Sequence, residues 1–263
     1  MDLGLKGKVA FVAAASKGLG RAIAEELAAE GASLALNARG VDALDATCEA
    51  IRASAGVDVL ALPGDVAIAA DVDRMTKQAL DHFGRIDILV TNAGGPPSGA
   101  FESLTPEMWQ SAVDLTLLSV VNLTRAVLPG MKERRWGRII NVTSIAAKQP
   151  VNGLMLSNSV RSAVTGFART LANEVAPFGV TVNNILPGYT ATERVTQLSA
   201  AVAKREGISE KDAVARWESE IPMGRLGEPA EFAALAAFLA SERSSYITAG
   251  SIPVDGGWIR SLL

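Results

Sequence analysis

The sequence predicts an α/β protein, a doubly wound three-layer sandwich with a seven-stranded parallel sheet between two helical layers. Three observations carry this reading. Short β-branched apolar runs alternate with Ala-rich amphipathic stretches along the whole chain. The runs are nearly continuous in apolar residues, so both faces of the sheet should be covered. The first run ends in a glycine-rich turn that opens a helix. Right-handed crossovers then favour the doubly wound order, with ligands outside the carboxyl ends of the strands.

In chain order, the strands are expected at KVAFVA (8–13), SLALN (33–37), DVLAL (58–62), IDILVT (86–91), RIINVT (138–143), VTVNNI (180–185) and SIPV (251–254). Helices are expected at 19–30, 41–54, 69–82, 105–135, 157–176 and 228–240. Thr105-Pro106 and Glu228-Pro229 read as helix starts, because proline at the first helical position gives up no needed hydrogen bond. There is no repeat or interdomain linker, which makes 1–263 a single domain. The segment 190–226, with KREGISEKD at its centre, breaks the rhythm. Lying after a strand's carboxyl end, it reads either as a substrate lid beside the crevice or as a solvated helical hairpin.

Composition narrows the function. The chain has 263 residues, 49% of them apolar, and a formal charge of -3, which fits a globular protein with a large core and disfavours a nucleic-acid partner. No apolar run approaches the roughly 18 residues of a membrane span, and MDLGLKGKVA lacks the features of a signal peptide, so a cytoplasmic protein with no membrane partner is expected. Cys48 and His82 are the only cysteine and histidine. No metal site is expected, and a Ser-His-Asp hydrolase would depend on His82, whose plainer reading is a cap at a helix C-terminus.

The turn AAASKGLG, holding Ala14, Ser16, Lys17, Gly18, Leu19 and Gly20, is suited to a diphosphate. Gly18 and Gly20 clear side chains from the path of a backbone approach, and the helix starting near Leu19 aims free N–H groups at the same place. A tight structural connection would use the same residues. After the second strand, Arg39 stands where the adenine ribose of a dinucleotide should lie, with no Asp or Glu at Asn37 or Ala38 for a ribose 2′-hydroxyl. With Lys17 in the turn, two cations and no carboxylate favour NADP(H) over NAD(H), although each is also an ordinary surface charge.

Together with this turn, GDV (64–66), TNAG (91–94), NVTS (141–144), PGYTAT (187–192), MGRLGEPAEFA (223–233) and VDGG (254–257) resemble the short-chain dehydrogenase/reductase family, in particular its 3-oxoacyl-acyl-carrier-protein reductase-like group. The resemblance covers essentially the whole chain and implies a Rossmann fold. It also implies that Asp65, with Val66, meets the adenine, and that Asn92, Ala93 and Gly94 support the central strand and cofactor. The loop with Pro187, Gly188, Thr190 and Thr192 would cradle the nicotinamide. The plainer readings are a helix cap for Asp65 and a turn for Asn92 to Gly94. A homotetramer or homodimer, built through 105–135, 157–176 and the chain's end, is implied as well. The apolar WIRSLL end gives a separate reason for a partner.

The family's catalytic positions depart from its pattern. Ser144 matches the serine that hydrogen-bonds the substrate carbonyl. The tyrosine and lysine positions, thirteen residues on and four beyond that, hold Ser157 and Arg161, and the asparagine position holds Asp114. Ala14 replaces the first glycine of the turn. A phenol of pKa ~10 can be tuned to exchange a proton near neutrality, whereas an aliphatic hydroxyl cannot, and arginine keeps its proton. Arg161 is nonetheless a good fork for an anion and remains placed to meet the cofactor. Asp114 is expected to form a buried ion pair with Arg161. Tyr189 could reach a carbonyl but is expected to pack, and Lys148 is a candidate proton donor, anion contact or surface charge.

These residues point to an atypical oxidoreductase moving a hydride between NADP(H) and a small carbonyl or alcohol, with Arg161 or Lys148 holding a substrate anion. Two alternatives are a nucleotide-binding pseudoenzyme that senses or scaffolds, and a non-redox lyase or dehydratase in the same crevice.

Overall fold

The computed structural model describes residues 2–262. The strands are β1 (Val9–Val12), β2 (Ser33–Ala38), β3 (Val59–Pro63), β4 (Ile88–Thr91), β5 (Gly137–Val142), β6 (Val180–Pro187) and β7 (Ser251–Val254). They form one sheet in the order β3-β2-β1-β4-β5-β6-β7, and every pairing is parallel. The helices are α1 (Gly18–Ala29), α2 (Val41–Ala55), α3 (Ala69–Phe83), α4 (Pro106–Val113), α5 (Ser119–Glu133), α6 (Met155–Val175), α7 (Glu193–Glu206), α8 (Glu210–Glu220) and α9 (Pro229–Ala240). Each expected strand, and each expected helix other than 105–135, lies within two residues of its place.

The two-sided burial has a simple origin in the strand pleat, which sends alternate side chains to opposite faces. Ala10 and Val12 of β1, Leu34 and Leu36 of β2, and Ile88 and Val90 of β4 join the core beneath α1, α2 and α9. Phe11, Ala35 and Leu89 from the same strands join the core on the other face, beneath α3, α5 and α6. Phe11, Leu34 and Leu36 are fully buried, and each such large apolar side chain contributes about 1.5–3 kcal/mol over an exposed one.

Helix ends follow local chemistry. The Thr105 hydroxyl accepts from the Met108 amide before Pro106, and Glu228 and Glu231 cap reciprocally ahead of α9. His82 does not cap α3. Gly84 does, at φ 72°, where its missing Cβ removes the left-handed penalty, while His82 Nε2 lies 2.9 Å from Asp58 Oδ2.

The expected single helix over 105–135 is interrupted. Between α4 and α5, Asp114–Leu118 forms a π turn. The combined rod, Pro106–Glu133, is long and apolar enough by length and composition to cross a membrane, which corrects the expectation of no such stretch. Its Leu123, Val127 and Met131 pack into the sheet core instead. The chain's end also differs from expectation. Trp258 is buried within its own chain beside Ile145, Leu186 and Ile221, so that residue needs no partner, although Leu262 is fully exposed. Leu263 lies outside the described residues.

Near the carboxyl edge, one row of polar side chains crosses four strands. Thr91 donates to Asn141 at 2.8 Å, Asn141 to Asn184 at 3.0 Å, and Asn184 to Ser251 at 3.1 Å. The register aligns these four residues side by side, so each buried amide has a partner on the next strand.

Candidate active site at the carboxyl edge of the sheet

The glycine turn follows β1 and feeds α1. Gly18 has φ 57°, and a Cβ on Gly20 would lie 2.3 Å from the Ala14 carbonyl oxygen and 2.8 Å from the Asn92 amide nitrogen. Gly20 is thus fixed by close approach, and a methyl there would break the turn. Ala14 itself holds φ 50°, a left-handed conformation that costs a non-glycine residue about 1–2 kcal/mol. The turn is tied down by Asn37, whose backbone oxygen accepts from Ala15 at 2.8 Å and whose amide donates to Leu62 and Gly64. Thr47 donates to the Ser16 carbonyl at 3.2 Å. No side chain caps the N-terminus of α1, and its first turn holds no acidic residue, so its amide donors and positive dipole end are uncompensated by side chains.

Lys17 and Arg39 are both engaged. Lys17 pairs with Glu193 at the start of α7, and Arg39 Nη1 lies 3.8 Å from Asp65 Oδ2. Arg39 is 76% exposed, a loose arrangement. Asp65 also accepts from the Ala67 amide at 3.0 Å, a local turn bond, but it does not cap α3, whose N-cap is Ile68 with no side-chain cap, so the helix-cap reading is not realised. Val66, next to it, is buried in the core, and Asn92, Ala93 and Gly94 follow β4.

Ser144, two residues past the end of β5, opens a short 3-10 turn that ends at Lys148. Its hydroxyl oxygen accepts from the Ala146 amide at 3.1 Å, which leaves its O–H donor unengaged. Ser157 lies in the first turn of α6 and is buried, yet its hydroxyl makes no hydrogen bond among the described residues. Later on the same helix, Ser159, Ser162, Thr165 and Thr170 each bond the carbonyl four residues earlier. The start of α6 is held by Asn158, which exchanges two hydrogen bonds with the Val151 backbone.

One turn beyond Ser157, Arg161 is 8% exposed and donates from Nη1 to the Val142 carbonyl at 3.0 Å. The expected Asp114–Arg161 ion pair does not form. The Asp114 carboxylate accepts from Gln110 at 2.8 Å, and among the described residues no carboxylate lies within 4 Å of Arg161. The π turn that begins at Asp114 explains the miss, since an inserted residue rotates the helix register by roughly 100°. Burial, then the nearby Arg194 charge, pushes the Arg161 guanidinium down to about 10.

After β6, Pro187, Gly188, Tyr189, Thr190 and Thr192 form the far wall. Gly188 passes so close to Asp255 that a Cβ would lie 2.7 Å from its Cα, and Thr192 comes within 3.8 Å of a Cβ built on Gly18. Tyr189 is stacked on Trp217 at 4.6 Å and meets the edge of Trp258 at 6.1 Å. Burial, and secondarily Glu220, pushes its phenol up to about 12, so packing is its evident role. Lys148 is half-buried and has no side-chain partner among the described residues.

Most of the residues quoted from the sequence therefore follow the carboxyl ends of strands of one sheet, whereas Asp114, at the end of α4, is engaged by Gln110 instead. Arg194 escaped sequence reasoning. Its Nη2 donates to the Pro96 carbonyl at 3.0 Å, spanning from α7 to the loop after β4, where a Cβ on Gly95 would lie 2.7 Å from it. The only sequence signal was a basic residue two places after Thr192.

A family model described as enoyl-(acyl carrier protein) reductase matches residues 13–259. The chain is 37% identical over 257 residues to the 3-oxoacyl-[acyl-carrier-protein] reductase of Synechocystis, covering 97% of this chain and 98% of that protein. It is also 37% identical over 262 residues to the D-beta-hydroxybutyrate dehydrogenase of Cupriavidus necator, covering 97% and 99%. Among solved structures, the L-sorbose reductase of Gluconobacter frateurii, complexed with NADPH and L-sorbose, aligns over 100% of both chains with a TM-score of 0.95 and 36% identity. Matches unbroken from the glycine turn to the last strand make this chain a member of the short-chain dehydrogenase/reductase family.

Proposed function

We propose that this protein is an NADP(H)-dependent oxidoreductase acting on a small carbonyl/alcohol pair through a non-standard Ser144-Ser157-Arg161 site. The observation that carries the reading is an uncapped α1 N-terminus after β1 and, after β5 of the same sheet, two hydroxyls with unengaged donors, Ser144 and Ser157. The close approach at Gly20 and the bare helix end fit a diphosphate. The nicotinamide supplies the hydride chemistry when bound.

The chain's own residues do the rest. Ser144 and Ser157 donate to the substrate oxygen and orient it. Lys148, at the end of the turn that Ser144 opens, delivers the proton to that oxygen as an ammonium group. Tyr189 fits this task poorly because its phenol is stacked and holds its proton to about 12, and Asp114 is turned toward Gln110. Arg39 and Lys17 favour the 2′-phosphate of NADP. Segment 190–226, carrying α7 and α8, acts as a lid on a single-domain body.

Calorimetric titration with NADPH and NADH tests the cofactor reading. NADPH should bind the more tightly, and Arg39→Ala should weaken NADPH by about tenfold while leaving NADH nearly unchanged. Lys148→Met should lower kcat by about 100-fold with cofactor affinity retained. A second reading, a nucleotide-binding pseudoenzyme, is favoured by Ser157 and Arg161 standing at the proton-relay positions. It requires tight NADPH binding with no turnover on a broad carbonyl panel.

A further inference from the structure

Two arginines are buried among the described residues, Arg138 and Arg161. Arg138 has the Glu242 carboxylate at 3.7 Å, while Arg161 has none within 4 Å among the described residues and instead feels a second guanidinium, that of Arg194. Only Nη1 of Arg161 has a protein acceptor. Its other nitrogens are not among the sealed, unsatisfied atoms, so they keep some accessible surface and no protein partner among the described residues. Arg194 is half-buried, spends Nη2 on the Pro96 carbonyl, and likewise has no carboxylate partner. Val142 ends β5 and Pro96 lies in the loop after the adjacent β4, which anchors both guanidiniums near neighbouring strand ends. Arg194 also stands in the first turn of α7, where the helix dipole adds further positive potential.

Like charges gathered in a poorly solvated place are costly unless something neutralises them. We infer that Arg161 and Arg194 form a carboxylate-binding fork, and that the substrate of this site is an oxo acid or hydroxy acid with a free carboxylate. This rests on the oxidoreductase reading for the carbonyl, but the anion site itself follows from the two arginines. The alternative source of a matching anion is a cofactor phosphate. The phosphates of a dinucleotide already have the α1 N-terminus, Lys17 and Arg39 on the β1–β3 side, whereas this pair lies on the β4–β5 side with Ser144 and Ser157.

The test is calorimetry on the full chain. NADP⁺ is titrated first, and its complex is then titrated with 3-oxobutanoate and with methyl 3-oxobutanoate. The acid should bind at least about tenfold more tightly than the ester, a difference of about 1.4 kcal/mol. Arg194→Gln should abolish that preference, Arg194→Lys should keep most of it, and neither should change NADP⁺ affinity by more than about threefold. Thermal unfolding verifies that both variants fold. Equal binding of acid and ester, or no binding of either, overturns the inference. So does a greater loss of NADP⁺ than of acid in Arg194→Gln, which would assign the pair to the cofactor. If the unaltered chain binds no NADP⁺, the cofactor reading fails separately. The same acid and ester titrations on the free protein then decide the anion site, with the same outcomes supporting or overturning it.

Discussion

Arg161 shows how one side chain can serve a site at the expense of the fold. Its folded-state value, about 10, lies well below the ordinary arginine range, so the unfolded chain binds more protons between the two. The cost of burying the cation is therefore present in full below about pH 10 and fades as pH rises further toward the ordinary arginine range. Arg161→Met should stabilise the protein by about 1–3 kcal/mol in neutral urea unfolding while lowering turnover. Its advantage over the unaltered chain should shrink from pH 9 to pH 11. Tyr189 runs the opposite way. Its raised value supports the fold below about pH 10, and this support is lost as pH climbs to about 12. Tyr189→Phe should remove that part of the alkaline loss yet keep turnover at pH 7 within about threefold, because this reading gives the phenol no proton to donate. Ala14→Gly should add about 0.5–1 kcal/mol, the left-handed strain relieved less the extra freedom of glycine in the unfolded chain.

At the scale of elements, the sequence told most about the strands, whose apolar runs leave little choice of conformation, and about helix starts fixed by Thr105-Pro106 and Glu228-Pro229. The glycine turn was legible because only glycine tolerates the approach at Gly20. Two features were not. The π turn at Asp114–Leu118 depends on how the helix meets its neighbours, so the position of Asp114 could be read while its partner could not. Arg194 matters only because α7 falls across the β4 loop, and that is a matter of tertiary packing. The first turn of α7 touches both sides of the crevice, with Glu193 on Lys17 and Arg194 on Pro96. Removing the carboxylate frees a cation beside the glycine turn. Glu193→Gln should accordingly tighten NADPH binding about threefold and steepen its loss with added salt, measured by titration from 50 to 300 mM chloride, roughly a twofold change in screening length.

On the scale of the whole molecule, the exposed apolar residues Phe101, Leu118 and Met155 belong to the region around α4, α5 and α6. We propose that copies of the chain assemble through α5 and α6, as the family resemblance implies. Leu118→Glu should reduce the sedimenting mass to that of a monomer, with the far-ultraviolet circular dichroism unchanged. Trp258 argues separately for a closed individual chain, since its indole donates to Glu220 at 3.2 Å and anchors α8 to the body. The row from Thr91 through Asn141 and Asn184 to Ser251 has a consequence of its own. Each link is a donor that the next strand must accept, so no single strand end can fray without stranding a buried amide on its neighbour. The amide protons of β4, β5, β6 and β7 near the crevice should therefore exchange with deuterium as one cooperative unit, making the floor beneath the reacting groups the last part of the protein to open.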